Sequence, residues 1–151
     1  MSLLAEACEW AHGLRLAAIP EDVSTLATAE LVSDMGAAWA GIAHPAGARV
    51  AGRWRDEGAR GAAVRAAALT LLLDWDETCF AGHIGHSTAL PTLLLGAEAG
   101  WDGGRVLSAI VASGELAARV TAAVTLGRAR GQAAGHTHLA GGAVVAGARR
   151  C

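Results

Sequence analysis

Apolar residues recur along most of the chain at intervals of three and four, which is the spacing of one face of an α-helix. Ile19-Pro20-Glu21-Asp22 is a good helix start. The apolar stripe behind it consists of Val23, Ala27, Leu31, Met35, Ala38 and Ile42. A second stripe follows Asp102, a candidate N-cap, and consists of Val106, Ile110, Ala117, Val120 and Val124. The pattern therefore predicts two long helices, over about 20–43 and 103–124.

Shorter helical patterns fill most of the remaining chain, and strand patterns are nearly absent. They predict helices over residues 45–55, 60–73, 87–99 and 136–150, with loops at 79–86 and 128–135. The segment 60–73 is apolar nearly all round, so we expect that helix to be buried. The expected fold class is all-α, a helical bundle that forms one domain over residues 1–151.

Composition and charge exclude several classes of protein. The 151 residues are 53% hydrophobic and 17% charged with a net charge of −2, which is too apolar for disorder and not basic enough to favour nucleic acid. Uninterrupted apolar runs fall short of the roughly 20 residues that cross a membrane, and no basic-then-apolar leader is visible. Three cysteines are too few for a disulfide framework. We expect a cytoplasmic protein with neither a nucleic-acid nor a membrane partner.

The segment richest in chemistry is DWDETCFAGHIGHST, from Asp74 to Thr88, with three carboxylates, three hydroxyls, a thiol and two imidazoles. Asp74 directly follows three leucines, so we expect its carboxylate at the edge of the core. A carboxylate there is either paired or has a raised pKa, and both suit acid–base catalysis. For Asp76 and Glu77, a solvated turn is the more ordinary interpretation.

The histidines His83, His86, His136 and His138 admit three interpretations. Together with Cys79 they have the ligand types of a zinc site, but their spacing matches no standard zinc motif. They can also be ordinary capping or core residues, or they can form a metal-free polar pocket with Asp74. His136 begins a predicted helix, whose backbone amides are suited to a substrate carboxylate. We favour the metal-free pocket, which needs no cofactor.

Several segments resemble one enzyme family. Asp74-Trp75-Asp76-Glu77-Thr78 resembles the D-F-D-D-T signature of the MmgE/PrpD family, which includes 2-methylcitrate dehydratase and cis-aconitate decarboxylase. Four other segments are similar to that family in the same order: Leu31 to His44, Gly82 to Ser87 (a G-H-T-G-H-S variant), Ala109 to Arg119, and Gly131-Gln132 with His138 to Gly141. The resemblance therefore extends over nearly the whole chain.

The resemblance implies part of the family's all-α N-terminal domain, a homodimer, and metal-independent chemistry on a small carboxylate substrate. Members remove a proton next to a carboxylate and then expel hydroxide or lose carbon dioxide. By position, the resemblance assigns catalytic roles to Asp74, Thr78, His83 and His86. It assigns substrate-binding roles to Asp76, Gln132, His136 and His138.

The chain also departs from the family. Members are several times longer, and their further pieces, including an α+β lid, carry pocket lysines, whereas this chain has no lysine. Three hypotheses follow: a lyase-like enzyme or subunit completed by a companion chain, a non-catalytic remnant or binding scaffold, and a stand-alone isomerase or cyclase that reuses the pocket. Because the aspartate, threonine and histidines are retained together, we favour the first or the third hypothesis over a remnant, with the lyase-like enzyme as the main prediction.

Overall fold

The computed structural model describes residues 2–53, 55, 57–76, 78–79, 82–124 and 135–148, with the backbone alone at 4, 78–79, 124, 135–137 and 146–148. The helices are α1 (Leu3–Gly13), α2 (Glu21–Gly41), α3 (Gly47–Gly52), α4 (Gly58–Leu71), α5 (Gly85–Glu98), α6 (Gly103–Val124) and α7 (Gly135–Ala148). A 3₁₀ turn spans Leu16–Ala18, and strands β1 (Thr78–Cys79) and β2 (Gly82–His83) form a short antiparallel hairpin. The all-α class predicted from the sequence is confirmed.

Both long helices lie where the sequence predicts them. Helix α2 begins after Pro20, with Glu21 and Asp22 in its first turn, where their charges face the positive end of the helix dipole. Before α6, the Asp102 carboxylate accepts a hydrogen bond of 2.8 Å from the backbone N–H of Arg105, which is the capping contact expected of it. Local residues therefore determine where these helices start.

The apolar stripe predicted for α2 does not coincide with the face that the helix buries. Ala27 is buried, but Met35 and Ile42 are about half exposed. The buried side consists instead of Ala27, Asp34, Ala37 and Gly41. Small residues occupy this side because α4, α5 and α6 all pack against it. Helix α4 is likewise only partly buried, because Val64 and Leu71 face outward.

Two elements are missing from the sequence-based prediction. Helix α1 is capped by Ser2, whose hydroxyl accepts a hydrogen bond from the backbone N–H of Ala5. The segment 79–86, predicted as a loop, contains β2 and the start of α5, and Cys79 pairs with Gly82 in the hairpin. The hairpin turns the chain back after α4, which places the following histidines beside the preceding aspartates.

The hydrophobic core lies between α2, α5 and α6. It contains Ala27, Ala89, Val106 and Ile110, with larger, partly buried side chains around them. Helix α6 is long and apolar enough over Gly103–Ala123 to cross a membrane by length and composition, and 44% of its most apolar stretch is buried in the protein. Of the stripe predicted for α6, Val106, Ile110 and Ala117 are buried as expected, and Val120 is half-buried.

Helix–helix contacts depend on glycine at a few positions. A Cβ added at Gly41 would overlap the carbonyl oxygen of Leu69 on α4 and lie 3.0 Å from its carbonyl carbon. A Cβ at Gly141 on α7 would lie 2.9 Å from the Thr88 methyl group on α5 and 3.2 Å from the Ser113 hydroxyl on α6. These glycines let neighbouring helices approach more closely than a side chain would allow.

We expect Gly41→Ala to lower the free energy of unfolding by about 1–3 kcal/mol, because the new methyl group overlaps backbone that cannot move aside. The control is Gly114→Ala in the middle of α6, where an added Cβ meets no atom within 4 Å. That change should raise the free energy of unfolding by up to about 1 kcal/mol through helix propensity. Urea denaturation of both variants measures the two changes. Equal effects of the two substitutions would contradict the close approach of α2 and α4.

Candidate functional site

The candidate site is centred on the carboxylate of Asp76, whose side chain has no exposed surface. One carboxylate oxygen lies 3.0 Å from Nδ1 of His83, and the other lies 2.7 Å from Nδ1 of His86. An ionised carboxylate only accepts hydrogen bonds, so each imidazole donates its Nδ1–H to Asp76. This assignment leaves Nε2 of both rings as the basic atoms, as in other aspartate–histidine pairs.

Three consecutive elements bring these groups together. Helix α4 ends at Leu71, and the turn that follows contains Asp74 in a left-handed conformation with φ of 55°. The β1–β2 hairpin then carries His83 back toward this turn, with Thr78 opposite His83 in the register. Helix α5 begins at Gly85, so His86 lies in its first turn. Asp76 thereby links the turn, the hairpin and the helix.

Helix α7 adds a third imidazole from far along the chain. The ring of His138 lies 4.6 Å from that of His86, centroid to centroid, at a tilt of 56°. Its Nδ1 lies 2.9 Å from the hydroxyl of Ser87. That hydroxyl also contacts the Ile84 carbonyl at 2.8 Å, to which it donates its one proton, so it accepts the Nδ1–H of His138. Nε2 of His138 is then the basic atom.

The surroundings of His138 favour its neutral form. Burial lowers the pKa of His138 below its ordinary value of 6.5, and a positive charge on neighbouring His86 lowers it further. The Asp76 carboxylate acts in the opposite direction and raises it, but this is the weakest of the three influences. A neutral imidazole with a free Nε2 lone pair is a proton acceptor at neutral pH.

Asp74 does not occupy the place that the sequence predicts for it. Its side chain is 80% exposed, so it does not lie at the edge of the core. The chain turns outward at Leu72 to Asp74 after α4 ends, and the buried carboxylate is that of Asp76, two residues later. Asp74 still faces the site, because one of its oxygens lies 3.7 Å from Nε2 of His83. His83 therefore lies between two carboxylates.

The residues around His83 are also of the types that hold a metal ion. Asp74, Asp76 and His83 each offer one ligand atom, and these atoms lie within 4.8 Å of one another. Two carboxylate oxygens and one imidazole nitrogen suit zinc or another divalent ion, with further positions left for water or substrate. Cys79, which the sequence offered as a ligand, is described only in its backbone.

Of the eight residues predicted for the site, five are brought into one cluster: Asp74, Asp76, His83, His86 and His138. For Thr78 and His136 the description covers only the backbone, and Gln132 lies outside the described residues. Ser87 joins the cluster without having been predicted. Its position directly after His86 at a helix start was the available signal, because serine in a first turn often bonds nearby backbone.

A separate cleft of about 230 Å³ lies where α1, α6 and α7 meet. Its polar lining includes Arg15, which donates hydrogen bonds to the carbonyls of His12 and Leu14 at the end of α1. We assign the candidate site to the Asp76 cluster instead. In that cluster a buried carboxylate contacts imidazoles directly, which is the arrangement that acid–base chemistry needs.

No family model, no curated protein and no solved structure matches this chain. The resemblance to the MmgE/PrpD family therefore stays a prediction.

We expect the free energy of unfolding to fall as the pH drops through 6.5, in part because of His138. Since the pKa of His138 is lower in the folded protein than in the unfolded chain, the unfolded chain binds more protons between the two values. Urea denaturation at pH 7.5 and at pH 5.5 compares wild type with His138→Gln. The variant should lose less stability on acidification, whereas His12→Gln, at the exposed end of α1, should behave as wild type. A pKa above 6.5 for His138, measured by NMR titration, would contradict this assignment.

Proposed function

We propose that the chain is a lyase-like enzyme, or a subunit of one, that removes a proton next to a carboxylate of a small substrate. The observation that carries the proposal is the buried Asp76 carboxylate, shared between the Nδ1 atoms of His83 and His86. A buried carboxylate sets the tautomer of each imidazole and stabilises the positive charge that forms when one of them takes up a proton.

The cluster offers a base and an acid in different surroundings. His138 is suited to be the base, because its surroundings lower its pKa and leave Nε2 unprotonated. His83 is suited to be the acid, because an imidazolium there has carboxylates at 3.0 and 3.7 Å.

In the proposed step, Nε2 of His138 takes a proton from the carbon next to a substrate carboxylate. The electron pair of the broken C–H bond moves toward that carboxylate and then forms a C=C bond as hydroxide leaves the neighbouring carbon. The proton of the His83 imidazolium joins the hydroxide, so water departs. In a decarboxylation the C–C bond to carbon dioxide breaks instead, and the resulting carbanion takes up a proton.

The substrate class and the assembly in this proposal come from the MmgE/PrpD resemblance. We propose a small polycarboxylate as substrate, a cytoplasmic location, and either a homodimer or a complex with a companion chain. The acid–base groups are those of the protein itself, with no cofactor in the reaction. Asp74, at the exposed side of His83, is placed to contact the hydroxyl or a water at the substrate.

An isomerase or cyclase that starts with the same proton abstraction is the second candidate. The observation that favours it is that the base and the acid both lie on this one chain, in the cluster of His138 and His83 with Asp76. The two activities differ in their products, because an isomerase releases neither water nor carbon dioxide.

The test is deuterium incorporation from heavy water into 2-methylcitrate, citrate and cis-aconitate, followed by NMR together with product formation. We expect exchange with wild type, and rates about 10²–10⁴-fold lower for His138→Gln and for His83→Gln, because each removes one proton-transfer group. Asp76→Asn should also lower the rate, since it removes the shared acceptor of both imidazoles.

The control is His12→Gln, which changes an exposed histidine at the end of α1 and should leave the rate unchanged. Circular dichroism confirms that each variant keeps the helical fold. His83 is one third exposed, so its replacement should be tolerated even where that of buried Asp76 is not. Exchange that persists at the wild-type rate in both histidine variants would remove the catalytic roles assigned here.

A further inference from the structure

The outward face of α2 is apolar over its C-terminal half. Val32, Met35 and Trp39 are exposed by 63%, 50% and 79%, and Ile42, directly after the helix, is exposed by 46%. A single exposed apolar residue is ordinary, but a continuous row of large apolar side chains on one helix is typical of an interface. The row runs from Val32 to Ile42, which is about 15 Å at 1.5 Å per residue.

Beyond the first turn of α2, the charged residues lie on the opposite side from this row. After the first turn the helix contains only two charged residues, Glu30 and Asp34. Asp34 is 1% exposed and lies on the buried side, and Glu30 is half-buried. A surface helix normally has the reverse arrangement, with its charges toward water. The outward face therefore matches a partner surface that is itself uncharged and apolar.

The same face contains both a projection and a hollow. Trp39 is the projection, and the shallow hollow is lined by Thr25, Thr28, Ala29, Val32 and Ser33. Thr28 and Val32 precede Trp39 by 11 and 7 residues, and such spacings keep side chains on one face of a helix. The hollow is centred about 15 Å along the helix from Trp39.

We propose that this face binds the same face of a second copy of the chain, with the two α2 helices antiparallel about a two-fold axis. In this arrangement Trp39 of each copy occupies the hollow around Thr28 of the other, and both contacts form at once. The axis passes near residue 34, so Val32 lies opposite the Met35–Gly36 segment of the second copy. An added Cβ at Gly36 meets nothing within 4 Å among the residues that the structure describes, which leaves room there for an incoming side chain.

The size of the face sets the expected strength of the dimer. Stable complexes commonly bury about 800 Å² on each partner, whereas a face about 20 Å long and one helix wide provides less than that. Trp39 supplies a large share, since a buried aromatic side chain covers roughly 150–250 Å². We therefore expect a dimer with a dissociation constant in the micromolar range. The interface rests on the homodimer of the proposed function but not on its lyase chemistry, so a protein that stays monomeric would leave the deuterium-exchange test unaffected.

Sedimentation velocity between about 1 µM and about 200 µM tests the interface, because a reversible dimer shifts with concentration. We expect wild type to pass from monomer to dimer across this range. Trp39→Glu and Thr28→Arg should each stay monomeric, because each places a charge in the apolar contact. Trp75→Glu is the matched control, since Trp75 is a 62% exposed tryptophan outside α2 and its replacement should leave the dimer intact.

Mixing the Trp39→Glu and Thr28→Arg variants tests the antiparallel register. In a mixed dimer the introduced glutamate of one copy lies against the introduced arginine of the other. At the second contact, the native Trp39 still meets the native Thr28. Association should therefore return in the mixture. Three results would overturn the proposal: a monomeric wild type at every concentration, a dimer that survives both substitutions, or a mixture that stays monomeric. Binding of wild type to lipid vesicles without self-association would overturn it as well. Circular dichroism shows whether the variants are folded.

Discussion

The arrangement of the site depends on one buried carboxylate. Asp76 has no exposed side-chain surface, and a buried charge is tolerated only when hydrogen bonds replace its lost hydration. His83 and His86 supply these bonds from the hairpin and from the first turn of α5. The carboxylate therefore joins three segments, namely the turn after α4, the hairpin and α5. Replacement of either imidazole would remove one of the two hydrogen bonds that the described residues donate to this carboxylate.

The third imidazole is present because small residues allow α7 to approach α5 and α6 closely. Gly141 lies against Thr88 and Ser113, and the Ser113 hydroxyl donates a hydrogen bond of 3.2 Å to the Gly141 carbonyl. His138 lies one turn earlier on α7 and thus reaches Ser87 and His86. The electrostatics of His138 follow from this packing, since both its burial and its contact with His86 arise from the position of α7. The packing of α7 therefore determines the electrostatic surroundings of His138.

Much of the fold could be predicted from local signals. Pro20 and Asp102 mark the starts of the two longest helices, and the apolar spacing within each helix needs no distant partner. The segment from Asp74 to Thr88 was also identifiable as the chemical centre, because few stretches combine so many carboxylates and imidazoles. The identity of the buried carboxylate was not predictable. The leucines before Asp74 indicate a core edge, but the turn at residues 72–74 rotates Asp74 outward and Asp76 inward.

The sequence by itself determined the helices, the all-α class and the candidate segment, because these depend on residues within one or two turns of each other. Only the tertiary structure decided which side of α2 faces the core. Apolar residues of α2 lie on more than one side of the helix, so their spacing alone does not identify the buried side. The buried side is the one where small residues, such as Ala37 and Gly41, let α4 and α5 approach. It also decided that His138 meets Ser87, 51 residues earlier in the chain. Contacts at such separations arise from the packing of whole helices, and no local spacing in the sequence encodes them.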